Sequence, residues 1–203
     1  ETVIEKEDGL YYLYGDEHRK LETRLIELPY KAKDGTMQQK QVTAYFTHRG
    51  PIVRSHNNKW VSVRLMEEPV KALIQSYTRT KAQNYDEFYT AMKSLTNSSN
   101  NTVYADADGT IAYFHGNFVP RRDTAFDFTQ PVDGSNPATD WQGLHTVDEN
   151  IGLLNPENGW LQNCNSTPFT SALEFSPKKE NYPNYMSIDR ENFRGVHAIE
   201  LLK

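Results

Sequence analysis

Short runs of apolar and polar positions alternate along the N-terminal part of the chain. The runs from Tyr11 to Tyr14 and from Leu25 to Leu28 predict two or three strands within residues 1–30. Asp34-Gly35 is typical of a hairpin turn, so residues 41–46 are expected to continue the same sheet. Further short strands are expected at residues 52–53 and 60–63. The pattern therefore predicts a β-rich region built from antiparallel strands.

A helical period follows this region. Glu67 and Glu68 suit a first turn because their charges oppose the positive end of the helix dipole. Pro69 is tolerated at an early helical position, where its missing N–H has no partner to lose. The apolar residues that follow share one helical face, and they are Leu73, Ile74 and Tyr77. We therefore expect the first helix to begin near residue 67.

Two more helices are expected further along the chain. The first spans Tyr85 to Leu95, because Asn84 is typical of an N-cap and Glu87 completes a capping box. Its buried side is expected to carry Phe88, Met92 and Leu95. The last helix is predicted to span Asp189 to Lys203, where apolar residues recur near helical spacing at Phe193, Val196, Ile199 and Leu202.

The region between these helices is rich in turn-forming residues. The polar residues 96–102 predict a loop, and residues 103–114 predict a hairpin that turns at Asp108-Gly109. From residue 116 to 158 the density of Pro, Gly, Asp and Asn predicts irregular structure. The whole pattern indicates an α+β chain with antiparallel strands, a few helices and long loops, forming one domain or part of one over residues 1–203.

Composition excludes several classes of protein. With a formal net charge of −5 and scattered basic residues, the chain lacks the positive field that gathers phosphates, so we expect no nucleic-acid partner. Its apolar runs are far shorter than a membrane span. Cys164 is the only cysteine, which excludes an internal disulfide and a zinc site made of several thiolates.

Common catalytic motifs are missing from the sequence. It contains no GxSxG, HExxH, Walker or GxGxxG pattern, and its six histidines are dispersed. Asp106 and Asp108 could form a carboxylate pair for calcium, but Asp-Gly turn chemistry explains them better. We therefore predict no metal site and no cofactor.

The most specific pattern runs from Asn155 to Pro168. An Asn-Pro turn and a Gly lead into a short apolar stretch, interpreted as a strand that places Asn163 and Asn165 on the same side before a bend at a proline. From the residues alone, capping of a turn by these asparagines remains the main alternative.

This segment resembles one of the penicillin acylase family of N-terminal-nucleophile hydrolases. The resemblance rests on Gly159-Trp-Leu-Gln-Asn-Cys-Asn-Ser-Thr-Pro168, and four other stretches also resemble family segments, three of them in the family's order. Three of these are Tyr104-Ala-Asp-Ala-Asp-Gly-Thr-Ile-Ala-Tyr113 with Pro120-Arg-Arg122 after it, Asp140-Trp-Gln-Gly-Leu144, and Phe193-Arg-Gly-Val-His-Ala-Ile-Glu-Leu-Leu202. The fourth, Thr47-His-Arg-Gly-Pro-Ile-Val53, resembles the family's Thr-Arg-His-Gly-Pro strand with the His and Arg exchanged.

The resemblance assigns roles to two residues. Asn165 matches the family's oxyanion-hole asparagine, and Arg194 matches its active-site arginine, which supports that asparagine or a substrate carboxylate. The physical basis is that attack on an amide creates an oxyanion, which a fixed carboxamide N–H stabilises more than the starting carbonyl. Without the resemblance, Arg194 reads as an ordinary surface arginine.

The resemblance also implies a fold, a reaction and partners. The fold is part of an αββα sandwich, and the parent cleaves acyl groups from small-molecule amides through an acyl-enzyme, without a cofactor. The nucleophile is the first residue of the β chain, a role that the Glu1 side chain cannot fill. We therefore expect an internal β-chain segment, inactive alone, that works with the remainder of the α and β chains in the periplasm or outside the cell. Residues 162–165 look closer to the aculeacin and acyl-homoserine-lactone acylases than to benzylpenicillin acylase.

The composition is also compatible with a different class of function. Twelve tyrosines and three tryptophans could form a stacking platform in an extracellular module that binds sugars or peptides without catalysis. An exposed row of aromatic side chains would favour that reading, whereas an open site at Asn165 would favour the acylase.

Overall fold

The computed structural model describes residues 1–98 and 100–203. Within them the chain divides into two compact units, one formed by residues 1–65 and 131–140, the other by residues 66–130 and 141–203. The loop predicted at residues 96–102 includes Ser99, which lies outside the described residues. The expectation of one domain, or part of one, stays a prediction.

The first unit contains two antiparallel sheets. Strands β1 (Val3–Lys6), β2 (Gly9–Tyr14) and β3 (Glu17–Lys20) form the smaller one, with β2 in the middle. Strands β4 (Glu22–Lys31), β5 (Met37–Thr47), β6 (Gly50–His56) and β7 (Lys59–Ser62) pair in chain order to form the larger one. Residues 1–31 therefore hold four strands rather than two or three, because Gly9 and Gly15 take the positive φ that tight turns require.

The turn between β4 and β5 follows its predicted chemistry. Gly35 has φ +87°, and its N–H donates to the carbonyl of Ala32 at 3.0 Å. The Asp34 carboxylate accepts the N–H of Thr36 at 3.0 Å. A turn residue that supplies positive φ and a carboxylate that closes on its own backbone fix the register of the hairpin.

In the first unit, Arg49 forms ion pairs with Glu1 and Asp140, near the beginning and the end of the residues that make up this unit. Arg49 Nε lies 2.7 Å from Asp140 Oδ1, and Arg49 Nη1 lies 3.3 Å from Glu1 Oε1. The Tyr14 hydroxyl donates to Asp140 at 2.7 Å, and His48 Nε2 lies 3.3 Å from the same carboxylate. Partial burial acts to raise the pKa of Asp140, but the contacts with Tyr14, Arg49 and His48 outweigh it and lower that pKa. Asp140, the first residue of the Asp-Trp-x-Gly-Leu stretch, is thus the main counterion of Arg49.

The described residues of the second unit form one small antiparallel sheet. Its strands are β8 (Thr102–Ala105), β9 (Ile111–Phe114) and β10 (Gly152–Leu154), with β9 in the middle. The predicted hairpin turns at Asp108-Gly109. Asp106 Oδ1 accepts the N–H groups of Asp108 at 3.1 Å and Thr110 at 2.9 Å. Turn closure therefore accounts for the Asp106 carboxylate.

Helix α1 spans Pro69–Arg79, and its apolar face is exposed in this chain. Leu73, Ile74 and Tyr77 share that face and are 71%, 55% and 65% exposed. The buried residue is Gln75, whose amide donates to Asn117 Oδ1 at 2.6 Å. A hydrogen-bonded glutamine, rather than the apolar stripe, therefore holds α1 to its unit.

Helix α2 spans Tyr85–Met92 and ends three residues before the predicted Leu95, which has φ +54°. Asn84 caps it as predicted, because its Oδ1 accepts the N–H of Glu87 at 2.9 Å. The Glu87 carboxylate reaches the N–H of Gln83 rather than that of Asn84, so the predicted capping box is displaced by one residue. Phe88 and Met92 are buried as expected.

The core of the second unit lies between α2 and the sheet. Its buried residues are Phe88, Met92, Ala112, Phe114 and Val147. Helix α3 spans Phe193–Leu202, four residues shorter at its start than the predicted segment. Of its expected apolar positions only Ile199 is buried, at 9% exposed, whereas Phe193 is 95% exposed. Among the described residues, no helix is long and apolar enough to cross a membrane.

Candidate active site

The segment that carries the two candidate asparagines is a loop rather than the short strand that its sequence predicts. Residues 160–163 have no strand pairing, and a bend follows at residues 164–166. Asn165 itself has φ +55°, a left-handed conformation that Asn tolerates better than most residues. The strand interpretation was wrong because this backbone turns at Asn165, where a strand would have to stay extended. Asn163 and Asn165 consequently bind different partners.

Arg194 and Asn165 are joined by a side-chain hydrogen bond. Arg194 Nη2 donates to Asn165 Oδ1 at 3.1 Å, and both residues are exposed. A guanidinium has no acceptor, so it selects the oxygen of the carboxamide and leaves Nδ2 as a free donor. No described residue accepts a hydrogen bond from that Nδ2. The structure therefore brings together the two residues that the sequence resemblance singled out.

Asn192 connects the loop at Asn165 with the start of α3. Its Nδ2 donates to the carbonyl of Cys164 at 3.1 Å and to that of Asn165 at 3.2 Å. Its Oδ1 accepts the N–H of Gly195 at 2.9 Å, which makes it the N-cap of the helix. The cap sets where α3 begins, and Arg194 is the second residue of that helix.

Gly195 lets the helix approach the loop closely. A Cβ on Gly195 would lie 2.5 Å from Glu191 Oε1 and 2.7 Å from Ser166 Oγ. Ser166 is fully buried, so it has no room to move aside. The Arg194–Asn165 contact therefore depends on a small residue directly after the arginine.

Comparison with known proteins identifies the family. The family model described as Penicillin amidase matches residues 1–203. The chain belongs to the penicillin amidase family. It is 29% identical to the penicillin G acylase of Escherichia coli over 164 residues, which are 78% of this chain and 18% of that protein.

A solved structure confirms the fold. The thermostable penicillin G acylase from Alcaligenes faecalis, in its orthorhombic form, matches with a TM-score of 0.75 at 22% sequence identity. The match covers 95% of this chain and 33% of the other. The predicted α+β class with antiparallel strands, as part of a penicillin acylase fold, is thereby confirmed. The chain spans less than a fifth of the length of the E. coli relative.

Asn163 belongs to a separate polar chain beneath the loop. Its Nδ2 donates to the Tyr113 hydroxyl at 3.3 Å, and that hydroxyl lies 2.8 Å from His115 Nδ1. His115 Nε2 lies 3.5 Å from Asp189 Oδ2. Burial lowers the pKa of His115, so the ring is neutral at pH 7, while the nearby Asp189 charge acts in the opposite direction. Burial also raises the pKa of Tyr113. Asn163 therefore belongs to a structural hydrogen-bond chain that is separate from the Arg194–Asn165 bond.

The remaining chemistry of this unit is sparse. No group of three or more His, Cys, Asp or Glu side chains in the described part of the chain could hold a metal ion. The exposed aromatic side chains in the described part of this unit are Tyr77 on α1 and Phe193 on α3. The arrangement offers one neutral N–H donor, the Asn165 carboxamide, which lies on an exposed loop and is held by the Arg194 guanidinium.

Sequence reasoning missed Asn192. A signal was present, since Asn is a preferred N-cap and Asn192 stands immediately before the apolar period of the last helix. The same reasoning found Asn84 at the start of α2. The predicted helix was started at Asp189 instead, which hid the cap inside it.

Proposed function

We propose that this chain is a segment of an amide hydrolase that removes acyl groups from small-molecule amides and that Asn165 supplies a side-chain donor of the oxyanion hole. The observation that carries the proposal is the hydrogen bond from Arg194 Nη2 to Asn165 Oδ1 at 3.1 Å. The proposal has further support from membership of the penicillin amidase family over residues 1–203. Arg194 acts as the supporting residue that orients the carboxamide.

The physical argument concerns charge that develops during the reaction. When a nucleophile attacks an amide carbonyl, its oxygen gains negative charge, and an N–H already aimed at that position needs no reorganisation. One such donor lowers the activation barrier by about 3 kcal/mol. The Arg194 charge withdraws electron density from Oδ1 and so makes the Nδ2–H group a stronger donor. Because the carboxamide is neutral, it does not repel a carboxylate on the substrate.

The rest of the reaction needs groups from outside this chain. A Ser, Thr or Cys at the first position of the β chain attacks the amide, and its own α-amino group takes the proton, directly or through water. An acyl-enzyme forms and water then hydrolyses it. The segment works with the remainder of the α and β chains, in the periplasm or outside the cell. The reaction uses no cofactor and no metal bound by these residues. Substrates of the penicillin, N-acyl-homoserine lactone or lipopeptide type fit this chemistry.

The test is substitution of Asn165 in the complete protein. Asn165→Ala is expected to lower kcat by about 100-fold to 1000-fold, measured with a panel of acyl para-nitroanilides, because one oxyanion donor is lost. Asn163→Ala is the matched control, since it removes an amide of the same loop that bonds to Tyr113. That control is expected to lower thermal stability while kcat stays within about twofold. Activity of Asn165→Ala within about twofold of the unchanged protein contradicts the proposal.

A further inference from the structure

The side chain of Asn192 makes three hydrogen bonds, two to the Asn165 loop and one to α3. Both carbonyl contacts come from the same Nδ2, at 3.1 Å to Cys164 and 3.2 Å to Asn165. Its Oδ1 is occupied by the N–H of Gly195 at 2.9 Å. A primary amide has two N–H donors and one carbonyl oxygen, so each of these groups has a partner. The side chain is half-buried, which limits competition from water.

These contacts act on the backbone on both sides of Asn165. The carbonyls of Cys164 and Asn165 belong to the two peptide planes that flank the Asn165 α-carbon, so fixing both planes fixes φ and ψ at that residue. Asn165 has φ +55°, a left-handed conformation that costs most residues other than glycine about 1 kcal/mol or more and that asparagine adopts more readily. A strained conformation persists only where its surroundings hold it. Asn192 supplies such a hold from outside the loop.

The same side chain also sets the position of the arginine. As the N-cap, Asn192 fixes where the first turn of α3 begins, and Arg194 lies within that turn. Arg194 in turn donates to Asn165 Oδ1. Asn192 therefore fixes both ends of the Arg194–Asn165 hydrogen bond, one through peptide planes and the other through the helix start.

We infer that Asn192 is a positioning residue for the oxyanion-hole asparagine and sets the direction in which the Asn165 carboxamide is presented. The inference rests on the proposed function of Asn165. Asn192 acts through Asn165 and touches no reacting atom. Its loss thus affects the transition state, where the oxyanion forms, more than binding of the neutral amide.

The decisive variant is Asn192→Ser in the complete protein. Serine is as good an N-cap as asparagine, but its short hydroxyl cannot span from the cap to both carbonyls. The matched control is Asn84→Ser, because Asn84 caps α2 through the same Oδ1 contact and has no bond to the Asn165 loop. Hydrolysis of acyl para-nitroanilides is followed, with kcat normalised to the burst of acyl-enzyme, alongside the thermal midpoint.

The expected result separates positioning from capping. Asn192→Ser lowers kcat by about tenfold with KM within about twofold, while its thermal midpoint falls no more than that of Asn84→Ser. In the Asn165→Ala background the same substitution causes little further loss, since both act on one donor. Asn192→Asp keeps the acceptor that caps the helix but lacks the Nδ2 donors, so its kcat is expected to fall by a similar factor. It replaces the serine variant in the same comparison if that variant does not fold.

Three results would overturn the inference, and they are distinguishable. If Asn192→Ser keeps kcat within about twofold while Asn165→Ala loses it, Asn192 does not position Asn165 and the proposed function stands. If the loss appears in KM and thermal midpoint together, or adds fully to that of Asn165→Ala, Asn192 has a general structural role. If Asn165→Ala itself stays active, the proposed function fails and the inference fails with it.

Discussion

Arg194 Nη2 lies 3.1 Å from Asn165 Oδ1, and this bond joins an exposed loop to the first turn of a helix 29 residues further along the chain. The loop residue is held in a left-handed conformation, and the helix residue follows a capped start. Neither feature alone places the carboxamide. Together they fix the Asn165 carboxamide, because Arg194 binds its Oδ1 and its Nδ2 remains available as a donor.

Removing the Arg194 guanidinium is expected to weaken catalysis more than substrate binding. Arg194→Met in the complete protein keeps the length of the side chain but loses the donor to Asn165 Oδ1. We expect kcat to fall by about 10-fold to 100-fold with little change in KM, because the carboxamide is then free to rotate. Steady-state kinetics on acyl para-nitroanilides measures this. Arg190→Met is the control, an exposed arginine of the same segment, and an equal loss in both variants would refute the assignment.

Gly195→Ala is expected to reverse the usual effect of this substitution in a helix. Alanine normally stabilises a helix interior by about 1 kcal/mol relative to glycine. Here its Cβ would lie 2.9 Å from the Cβ of buried Ser166, so the helix or the loop must shift. We expect a net loss of about 1–2 kcal/mol and a lower thermal midpoint. His197→Ala, at an exposed position of the same helix, is expected to change stability by less than about 0.5 kcal/mol.

A second stability test concerns Asp140 and its partner Arg49. The Asp140 side chain is 23% exposed and that of Arg49 is 11% exposed, so Asp140→Asn leaves a mostly buried cation without its main counterion. We expect a cost of about 2–3 kcal/mol, seen as a lower thermal midpoint. Asp8→Asn is the matched control, because Asp8 pairs with Lys20 at an exposed site. Its expected cost is below about 1 kcal/mol, and equal effects would show that the Arg49 network adds little.

Stability is expected to fall as the pH drops below 6.5, partly because of His115. Burial holds the pKa of this histidine below its ordinary value of 6.5. The unfolded chain therefore binds a proton at pH values where the folded chain does not. The contribution of neutral His115 is complete above pH 6.5 and is lost as the pH falls through the lowered pKa.

Substitution of His115 tests whether this residue contributes to the loss of stability at low pH. His115→Asn removes the titrating ring, so the thermal midpoint should depend less steeply on pH below 6.5. The measurement is a series of thermal melts across that range. His18→Asn, at an exposed position on β3, is measured alongside as the control variant. An unchanged slope in His115→Asn would contradict the prediction.

Local sequence predicted several features of the fold because their causes are local. The Asp34-Gly35 and Asp108-Gly109 turns form where they were expected, since positive φ and carboxylate closure are properties of a few adjacent residues. Asn84 caps α2 for the same reason. The predicted helix ends were less accurate. Helix α2 ends at Met92 instead of Leu95, and α3 begins after Asn192 instead of at Asp189, because both ends depend on backbone geometry beyond the periodic pattern.

Helical periodicity did not predict which face of α1 is buried. The spacing of Leu73, Ile74 and Tyr77 correctly places them on one side of α1, yet the side buried in this chain holds Gln75. A glutamine is absent from any apolar pattern, but its amide finds partners in Asn117 and in Thr96. Burial of a polar group depends on those partners, which come from other parts of the chain.

The sequence by itself determined the family, the α+β class, the turns and the identity of the two candidate residues, Asn165 and Arg194. Only the tertiary structure decided that Asn165 sits on a left-handed loop instead of a strand, that Arg194 contacts its Oδ1, and that Asn192 holds both. Residues that are 27 to 29 positions apart meet through packing of a capped helix against a loop, which depends on space left by Gly195. Pattern along the chain describes neighbours in sequence, whereas the direction of a donor depends on neighbours in space.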